Sequence, residues 1–221
     1  MTNHSRQTVR ETYETIGSHF AKTREYAWPE VESFVDDYGD RAEDGTALDI
    51  GCGNGRHAEL LAAVAPRVVG VDASRELLSV AVDRVPETVA LLCGDASRLP
   101  LRTRSVALAV YVATLHHLPS ARARQASLSE LARVLSPTGR ALVSVWSTAH
   151  DRFDAPADAD SGFDTTVDWT LPGGETVPRF YHIYAPAEFE RSLEESPLRT
   201  VSFDVSSGNC YAVVESEGKS P

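Results

Sequence analysis

The chain has 221 residues, of which 42% are hydrophobic and 24% are charged, a composition typical of a globular protein with room for a sizeable core. No apolar run approaches the roughly 18 residues of a membrane span, and the polar N-terminus lacks the apolar stretch of a secretory signal. The three cysteines have neither the spacing of a zinc site nor the even number of a disulfide framework. We therefore expect a soluble protein of the reduced cytoplasm, with no membrane contact and no metal site.

The net charge is −11, from 32 acidic side chains against 21 basic ones. This balance argues against a broad nucleic-acid-binding face, which needs clustered cations to neutralise phosphates. Among the cations only Lys22 and Lys219 are lysines. An acidic, lysine-poor surface is typical of a high-salt cytoplasm, where screening shortens the reach of self-repulsion, and equally of a GC-rich genome.

The first 40 residues have a helical pattern. Val9, Tyr13, Ile16 and Phe20 recur on one stripe, and Pro29 ends that stretch and begins a second helix. Strand-like and helical segments then alternate up to residue 146. Strands are predicted at 46–50, 67–71, 89–93, 106–112 and 140–146, and helices at 57–65, 75–84 and 121–135. This alternation favours an α/β fold with a mostly parallel sheet and crossover helices.

Residues 151–175 break the pattern. They contain six aspartates, two prolines and three glycines and show little periodicity, which predicts an irregular acidic loop. After this segment the sequence predicts a strand at 179–184, a helix near 186–195, strands at 199–205 and 209–215, and a frayed tail over 216–221.

A glycine-rich loop with the sequence Gly51-Cys52-Gly53-Asn54-Gly55 follows the first strand and precedes a helix. Glycines allow a sharp turn and close approach to a ligand, so the loop predicts binding of a nucleotide cofactor at the carboxyl end of the strand. Asp72 and Asp95 stand at the ends of the next two strands. Each alone is more often a helix cap or a turn residue, but acids at three successive strand ends, with Asp49, favour a site.

The spacing of the loop separates two classes of adenine-nucleotide enzyme. Dinucleotide enzymes favour Gly-x-Gly-x-x-Gly, whereas here the third glycine comes one residue early and an acid precedes the loop. The set resembles motif I of the class I S-adenosylmethionine (SAM)-dependent methyltransferases over residues 45–146. The resemblance implies a Rossmann-like fold with a seven-stranded sheet and helices on both faces. It implies SAM as cofactor and S-adenosylhomocysteine (SAH) as product.

The same resemblance implies which residues hold the cofactor. Asp49 with Gly51, Gly53 and Gly55 would hold the methionine part, and Asp72 the ribose. Asp95 and Ala96 would read the adenine. The implied cofactor set is completed by Tyr13, Ala73 and Val112. The implied domain spans 1–221, with a helical lid at 1–40, a SAM-binding core at 45–146, the acidic insertion at 151–175 and a C-terminal sheet at 176–215.

The fourth strand ends at His116-His117, without the Asn/Asp-Pro-Pro-aromatic box common in enzymes that methylate amino groups. A tandem histidine is more typical of small-molecule or carboxylate methylation, although one core histidine and one helix-start histidine would also explain it. Four segments together resemble the tRNA wobble-uridine carboxymethyl methyltransferases. They are Tyr13-Glu14 to Thr23-Arg24, Trp28-Pro29, Arg179-Phe180-Tyr181-His182 and Asn209-x-Tyr211. Cys210, where that family usually has Trp, and the acidic 151–175 segment depart from the pattern.

This family resemblance implies formation of the methyl ester of 5-carboxymethyluridine in the tRNA anticodon loop. A carboxylate is ionised at pH 7 and needs no general base, but it needs a clamp of cations or donors. Arg24, His116, Arg179 and His182 are the candidates. The resemblance also implies a heterodimer with a small zinc-binding activator subunit docked at an edge of the sheet, with Val143 and Trp146 as candidate contacts, and an archaeal, halophilic type of member.

Residues 98–140 contain seven arginines and one glutamate, so their net charge is +6. They predict either a phosphate footprint beside the catalytic loop or a solvated set that pairs with the acidic segment. Two other functions remain open on the sequence. One is methylation of a small molecule, such as a quinone precursor or a free carboxylic acid, and the other is a non-catalytic SAM-binding subunit.

Overall fold

The computed structural model describes residues 4–153 and 159–217. The helices within these ranges are α1 (Arg6–Ala21), α2 (Pro29–Tyr38), α3 (Arg56–Leu61), α4 (Arg75–Val82), α5 (Ala121–Val134) and α6 (Pro186–Glu194). The strands are β1 (Thr46–Ile50), β2 (Arg67–Asp72), β3 (Val89–Cys93), β4 (Val106–Val112), β5 (Leu135–Trp146), β6 (Phe163–Thr170), β7 (Thr176–Ile183), β8 (Leu198–Ser206) and β9 (Asn209–Ser216). Within the described ranges, the longest and most apolar helices still fall short of a membrane crossing.

Seven strands form one sheet in the order β3-β2-β1-β4-β5-β9-β8. The strands from β3 to β5 run parallel to their neighbours, and β9 runs antiparallel to both β5 and β8. The chain starts at β1, proceeds outward to β3 and returns to β4 on the other side, so the order switches between β1 and β4. Ligands bind at such a switch point, beyond the carboxyl ends of the strands. The predicted α/β fold with a mostly parallel seven-stranded sheet is confirmed.

The core lies on both faces of this sheet. Leu108 and Val110 of β4 pack with the apolar residues of α2 and α3, whereas Ala109 and Tyr111 pack with those of α5. Successive side chains of a strand point to opposite faces, so a strand covered on both sides is apolar throughout. Burial of β4 on both faces fixes the position of the loop that follows it.

Two predicted boundaries shift by four residues or more. α3 ends at Leu61 rather than at residue 65, because Ala62–Ala65 form turns instead of a further helical turn. β5 begins at Leu135 rather than at residue 140, with an irregular register against β4 at its start. Ser74 caps α4 as predicted, since its side chain accepts a hydrogen bond from the amide of Leu77.

The expectation of an irregular loop over residues 151–175 is wrong for its second half. Residues 163–170 form β6, which pairs antiparallel with β7 from Phe163–Ile183 to Thr170–Thr176. Val167 is buried and Trp169 is partly buried, while Asp164 and Asp168 are exposed. An alternation of this kind is typical of a hairpin with one solvated face. Residues 154–158 and the tail from 218 lie outside the described residues, and Ser216 still belongs to β9.

Candidate cofactor and substrate site

A cleft of about 910 Å³ opens at the carboxyl ends of β1, β2, β3 and β4. α1 and the β6–β7 hairpin supply its outer wall. Eleven of the predicted site residues line it: Tyr13, Arg24, Gly51, Gly53, Asp72, Ala73, Asp95, Ala96, Val112, His116 and Arg179. Asp49, Gly55 and His182 are not among the lining residues.

The glycine-rich loop has a backbone that only glycine adopts without strain. Gly51, Gly53 and Gly55 have φ values of 72°, 54° and 82°. A Cβ atom at Gly51 would lie 2.1 Å from Oγ1 of Thr114, whereas one at Gly53 would project into open space. The amide plane next to Gly53 is therefore free to approach a ligand in the cleft.

Asp72 fastens this loop to the end of β2. Its Oδ2 accepts a hydrogen bond from the amide of Gly53 at 2.8 Å, and its Oδ1 accepts one from the amide of Ser74 at 2.8 Å. Burial raises the pKa of Asp72, while these backbone donors oppose the rise. The carboxylate is thus fixed in position and retains lone pairs for a ligand hydroxyl.

Asp49 lies behind the loop and is buried, with Oδ2 lacking any hydrogen-bond partner among the described residues. Burial raises its pKa to about 7. A buried carboxylate oxygen without a donor is costly, and a ligand cation beside the loop would satisfy it.

Asp95 already has a partner from the N-terminal helix. Arg6 of α1 donates to its Oδ2 at 2.6 Å, and the amide of Ser97 donates to its Oδ1 at 2.8 Å. The ion pair is about half exposed, so it adds little stability. The ion pair instead positions α1 across the subsite that the sequence analysis assigns to adenine.

The two histidines after β4 are neutral and have opposite tautomers. Nδ1 of His116 accepts from the amide of Trp146 at 2.9 Å, so its proton is on Nε2. Nδ1 of His117 lies 2.9 Å from the carbonyl of Phe180 and must donate, which leaves Nε2 to accept from the Tyr13 hydroxyl at 2.9 Å. Burial lowers the pKa of His116 well below its usual value and that of His117 to about 4. His116 therefore faces the cleft as a neutral donor.

Arg179 enters the cleft from β7 inside an aromatic frame. Its guanidinium carbon lies 4.9 Å from the ring centre of Trp169, 5.3 Å from that of Tyr181 and 5.8 Å from that of Phe20. The guanidinium carbon of Arg24 lies 4.7 Å from the ring centre of Phe20. Arg179 is 7% exposed, and neither arginine has a carboxylate within 4.0 Å among the described residues. Two cations without counter-charges in one cleft predict an anionic ligand.

Comparison with known proteins identifies the family of this chain. Residues 48–143 match the family model of a methyltransferase domain. A putative methyltransferase of Encephalitozoon cuniculi, ECU09_1500, is 30% identical over 209 residues that cover 94% of each chain. The chain belongs to the class I SAM-dependent methyltransferases. The solved structure of a DhpI–SAM–HEP complex has this fold too, with a TM-score of 0.72 at 21% identity, over 97% of this chain and 99% of that one.

Several curated relatives of this methyltransferase have more specific names. The mouse tRNA (carboxymethyluridine(34)-5-O)-methyltransferase ALKBH8 is 34% identical over 139 residues, 63% of this chain and 20% of that protein. The chain thus spans about a fifth of its length. The Schizosaccharomyces pombe protein named tRNA (carboxymethyluridine(34)-5-O)-methyltransferase is 24% identical over 228 residues, covering 94% of this chain and 95% of that one.

The structure of the methyltransferase corrects the assignment of His182. Its Nδ1 lies 2.7 Å from Oδ1 of Asp164, and its Nε2 lies 2.9 Å from Oε1 of Glu188 on α6. Arg179 and His182 are three residues apart on one strand, so their side chains point to opposite faces. His182 joins the hairpin to α6 and does not contact the cleft.

The arginines of residues 98–140 do not surround the cleft either. Arg133 pairs with Glu130, and Arg140 pairs with Glu215. Arg124 is buried and stacks on Tyr184. Arg102 and Arg104 precede β4 and thus lie at the amino end of the sheet, opposite the cofactor edge. Five of the seven arginines thus lie in ion pairs, in the core or at the far end of the sheet, which argues against a phosphate footprint built from the whole segment. The arginines that line the cleft are Arg6, Arg10, Arg24, Arg56 and Arg179.

Sequence reasoning missed several contributors to this site, among them Arg6 and Trp169. Arg6 carries no local motif, and only the fold brings it to Asp95. Trp169 was hidden in the segment interpreted as a loop, although its alternation with Val167 was a usable signal. Val143 is fully buried on β5, an inner strand, so it is not an edge contact for a partner. Trp146 packs instead against Tyr181 and Phe153 beside the cleft.

Proposed function

We propose that this methyltransferase transfers a methyl group from SAM to the carboxylate of a 5-carboxymethyluridine at the wobble position of tRNA. The observation that carries the proposal is the buried Arg179 guanidinium, which faces the cleft with Arg24 beside it and no carboxylate from the described residues. A guanidinium is well suited to hold a carboxylate oxygen, because its N–H groups make charge-assisted hydrogen bonds. The names of the mouse and S. pombe relatives support the same substrate.

The cofactor side of the cleft fits SAM group by group. Asp72 would hold the ribose hydroxyls. The free oxygen of Asp49, behind the lining loop, would accept from the ammonium of the methionine part. The open backbone at Gly53 admits that part, while Gly51 and Gly55 shape the turn. The adenine end would meet Asp95 and Ala96. The remaining walls are Tyr13, Ala73 and Val112. When bound, SAM supplies an electrophilic methyl group and becomes SAH.

The proposed reaction requires little acid–base catalysis from the residues of this chain. The substrate carboxylate is ionised at pH 7, so its attack requires no general base. Arg179 and Arg24 orient one carboxylate oxygen, and the neutral Nε2–H of His116 donates without adding charge. Tyr13, held by His117, closes the same wall. Orientation and exclusion of water then supply the rate enhancement. One carboxylate oxygen must stay unclamped, because a fully clamped ground state would react more slowly.

A variant pair tests the clamp. We expect Arg179→Ala to lower kcat/KM for the modified tRNA by about 10- to 100-fold, since it removes charge-assisted hydrogen bonds to the carboxylate. The dissociation constant of SAH, measured by calorimetry, should stay unchanged. Arg102→Ala, an exposed arginine at the opposite end of the sheet, is the matched control. Normal turnover by Arg179→Ala would reject the clamp.

The proposal includes a small zinc-binding activator subunit as a partner, and the cytoplasm as the compartment. The edges of the sheet within the described residues are β3 and β8, where an added strand would find unpaired backbone groups. Co-purification with a candidate activator and a rise in tRNA methylation would support the heterodimer. Full activity of the isolated chain, unchanged by the added subunit, would contradict it.

A further inference from the structure

The loop between α1 and α2, residues 22–28, borders a second and shallower groove of about 410 Å³. We call it the Tyr26 groove. It is lined by residues 22–28 and Arg56, and it shares Arg24, Trp28 and Arg56 with the main cleft. A ligand that extends out of the cleft on this side would enter the Tyr26 groove next.

Tyr26 is 74% exposed, the largest exposed fraction among the large hydrophobic residues described. Its backbone is nevertheless firmly held. The carbonyl of Arg24 accepts from Nδ2 of Asn54 at 2.8 Å, that of Glu25 accepts from Arg84 at 2.6 Å, and that of Tyr26 accepts from Arg56 at 3.3 Å. An aromatic ring carried on a fixed loop loses little freedom when a ligand stacks on it.

The charge of the groove is opposite to that of the whole chain. Lys22, Arg24 and Arg56 contribute three cations and Glu25 one acid, in a protein of net charge −11. Lys22 is exposed and has no carboxylate within 4.0 Å among the described residues. The guanidinium of Arg56 stacks over Trp28 at 5.4 Å. A cationic groove with an exposed ring is the combination that binds single-stranded nucleic acid, since phosphates follow the cations and bases stack on the ring.

We propose that the Tyr26 groove binds the nucleotide next to the methylated uridine in single-stranded RNA. Tyr26 stacks on its base, and Lys22 contacts its phosphate. The inference rests on the proposed function for its place along the RNA, because continuity with the cleft makes the occupant a neighbour of the reacting nucleotide. Binding of RNA in the groove does not itself require methyl transfer.

Steady-state kinetics with an anticodon stem-loop RNA carrying 5-carboxymethyluridine tests the stacking. We expect Tyr26→Ala to raise KM for this RNA about tenfold with little change in kcat, because the ring is outside the reacting centre. Tyr26→Trp should restore KM, since it keeps an aromatic face. Lys22→Glu should raise KM as well, whereas Arg102→Glu, an exposed cation at the far end of the sheet, should not. The SAH dissociation constant should be the same in all four.

A binding assay separates this inference from the proposed function. Fluorescence anisotropy with labelled, unmodified hexauridylate at low salt should show weaker binding to Tyr26→Ala than to wild type, whether or not the RNA is methylated. If wild type methylates no RNA but still binds hexauridylate more tightly than Tyr26→Ala does, the proposed function fails and RNA binding in the Tyr26 groove is supported. If Tyr26→Ala matches wild type in both KM and hexauridylate affinity, the RNA assignment is overturned. A protein partner on this surface would give that same result.

Discussion

Asp49 is a single buried acid whose free oxygen should give cofactor binding a pH dependence. Its folded-state pKa of about 7 lies above the ordinary value near 4, because burial penalises the charged form. Between these values the folded state keeps a proton that the unfolded state has lost. Because the folded state binds this extra proton, the free energy of unfolding falls as pH rises from about 4 to about 7.

We expect SAH to bind more tightly as pH rises from 6.0 to 7.5, because its ammonium favours the ionised Asp49. The gain should approach tenfold per pH unit below 7 and level off above it. His57, His116 and His117 stay neutral in this window, since burial holds each pKa far below it. Calorimetry on wild type and Asp49→Asn measures the effect. Equal pH slopes in the two proteins would remove Asp49 from the cofactor site.

Individual residues differ in how far the sequence predicts them. Asp72 and Asp95 were predicted to lie at the cofactor edge because the carboxyl ends of parallel strands meet there, and both line the cleft. His182 was placed in the site because it shares a motif with Arg179. Strand alternation argues against that placement, since residues three apart on a strand face opposite sides. A motif thus indicates which part of the fold a residue belongs to. The alternation of side chains along the strand decides which face of the sheet it points to.

Among the elements, α1 closes the cleft and is fastened to α4 by the carboxylate of Glu14, beside a hydrogen bond from the Ser18 hydroxyl to the carboxylate of Glu76. Oε1 of Glu14 accepts from the amide of Arg75 at 2.9 Å, and Oε2 accepts from the amide of Glu76 at 3.0 Å. These are the first two amides of α4, which lack partners within the helix. A negative charge at this position also complements the helix dipole. Through Glu14, α1 presents Tyr13 to the cleft and Arg6 to Asp95.

Glu14→Ala should lower the free energy of unfolding by about 1–2 kcal/mol, as loss of a helix cap does. The measurement is urea denaturation followed by circular dichroism. Glu11→Ala is the control on the same helix. Glu11 is exposed, and its carboxylate accepts only from Nε2 of Gln7 among the described residues, so its removal should change stability by less than about 0.5 kcal/mol. Equal stabilities of the two variants would show that Glu14 does not fasten α1.

The β6–β7 hairpin is the element that the sequence predicted least well. Six aspartates made residues 151–175 look irregular, yet a strand needs only one apolar face, and Val167 with Trp169 supplies it. Trp169 then donates from Nε1 to Nδ1 of His19 at 3.0 Å and packs on Arg179. The hairpin thus frames the proposed carboxylate clamp, a role that depends on contacts far apart in sequence.

For the whole molecule, the distribution of charge matters more than its sum. The arginine-rich segment 98–140 crosses from one end of the sheet to the other, so its linear cluster does not become a surface patch. The cations of the cleft come instead from α1, from the loop before α2, from α3 and from β7. An acidic protein thereby has five arginines along one cleft, where the proposed anionic substrate would enter. The halophilic origin of the remaining acidity stays a prediction.

Methyl transfer to defined tRNA tests the central claim most directly. Tritiated SAM is incubated with tRNA carrying 5-carboxymethyluridine at the wobble position, with and without the activator subunit, and tRNA with an unmodified wobble uridine is the control. We expect label on the modified tRNA alone, released by mild base as expected of a methyl ester. Label only on free carboxylic acids or quinone precursors, or SAM binding with no transfer to any substrate, would contradict it.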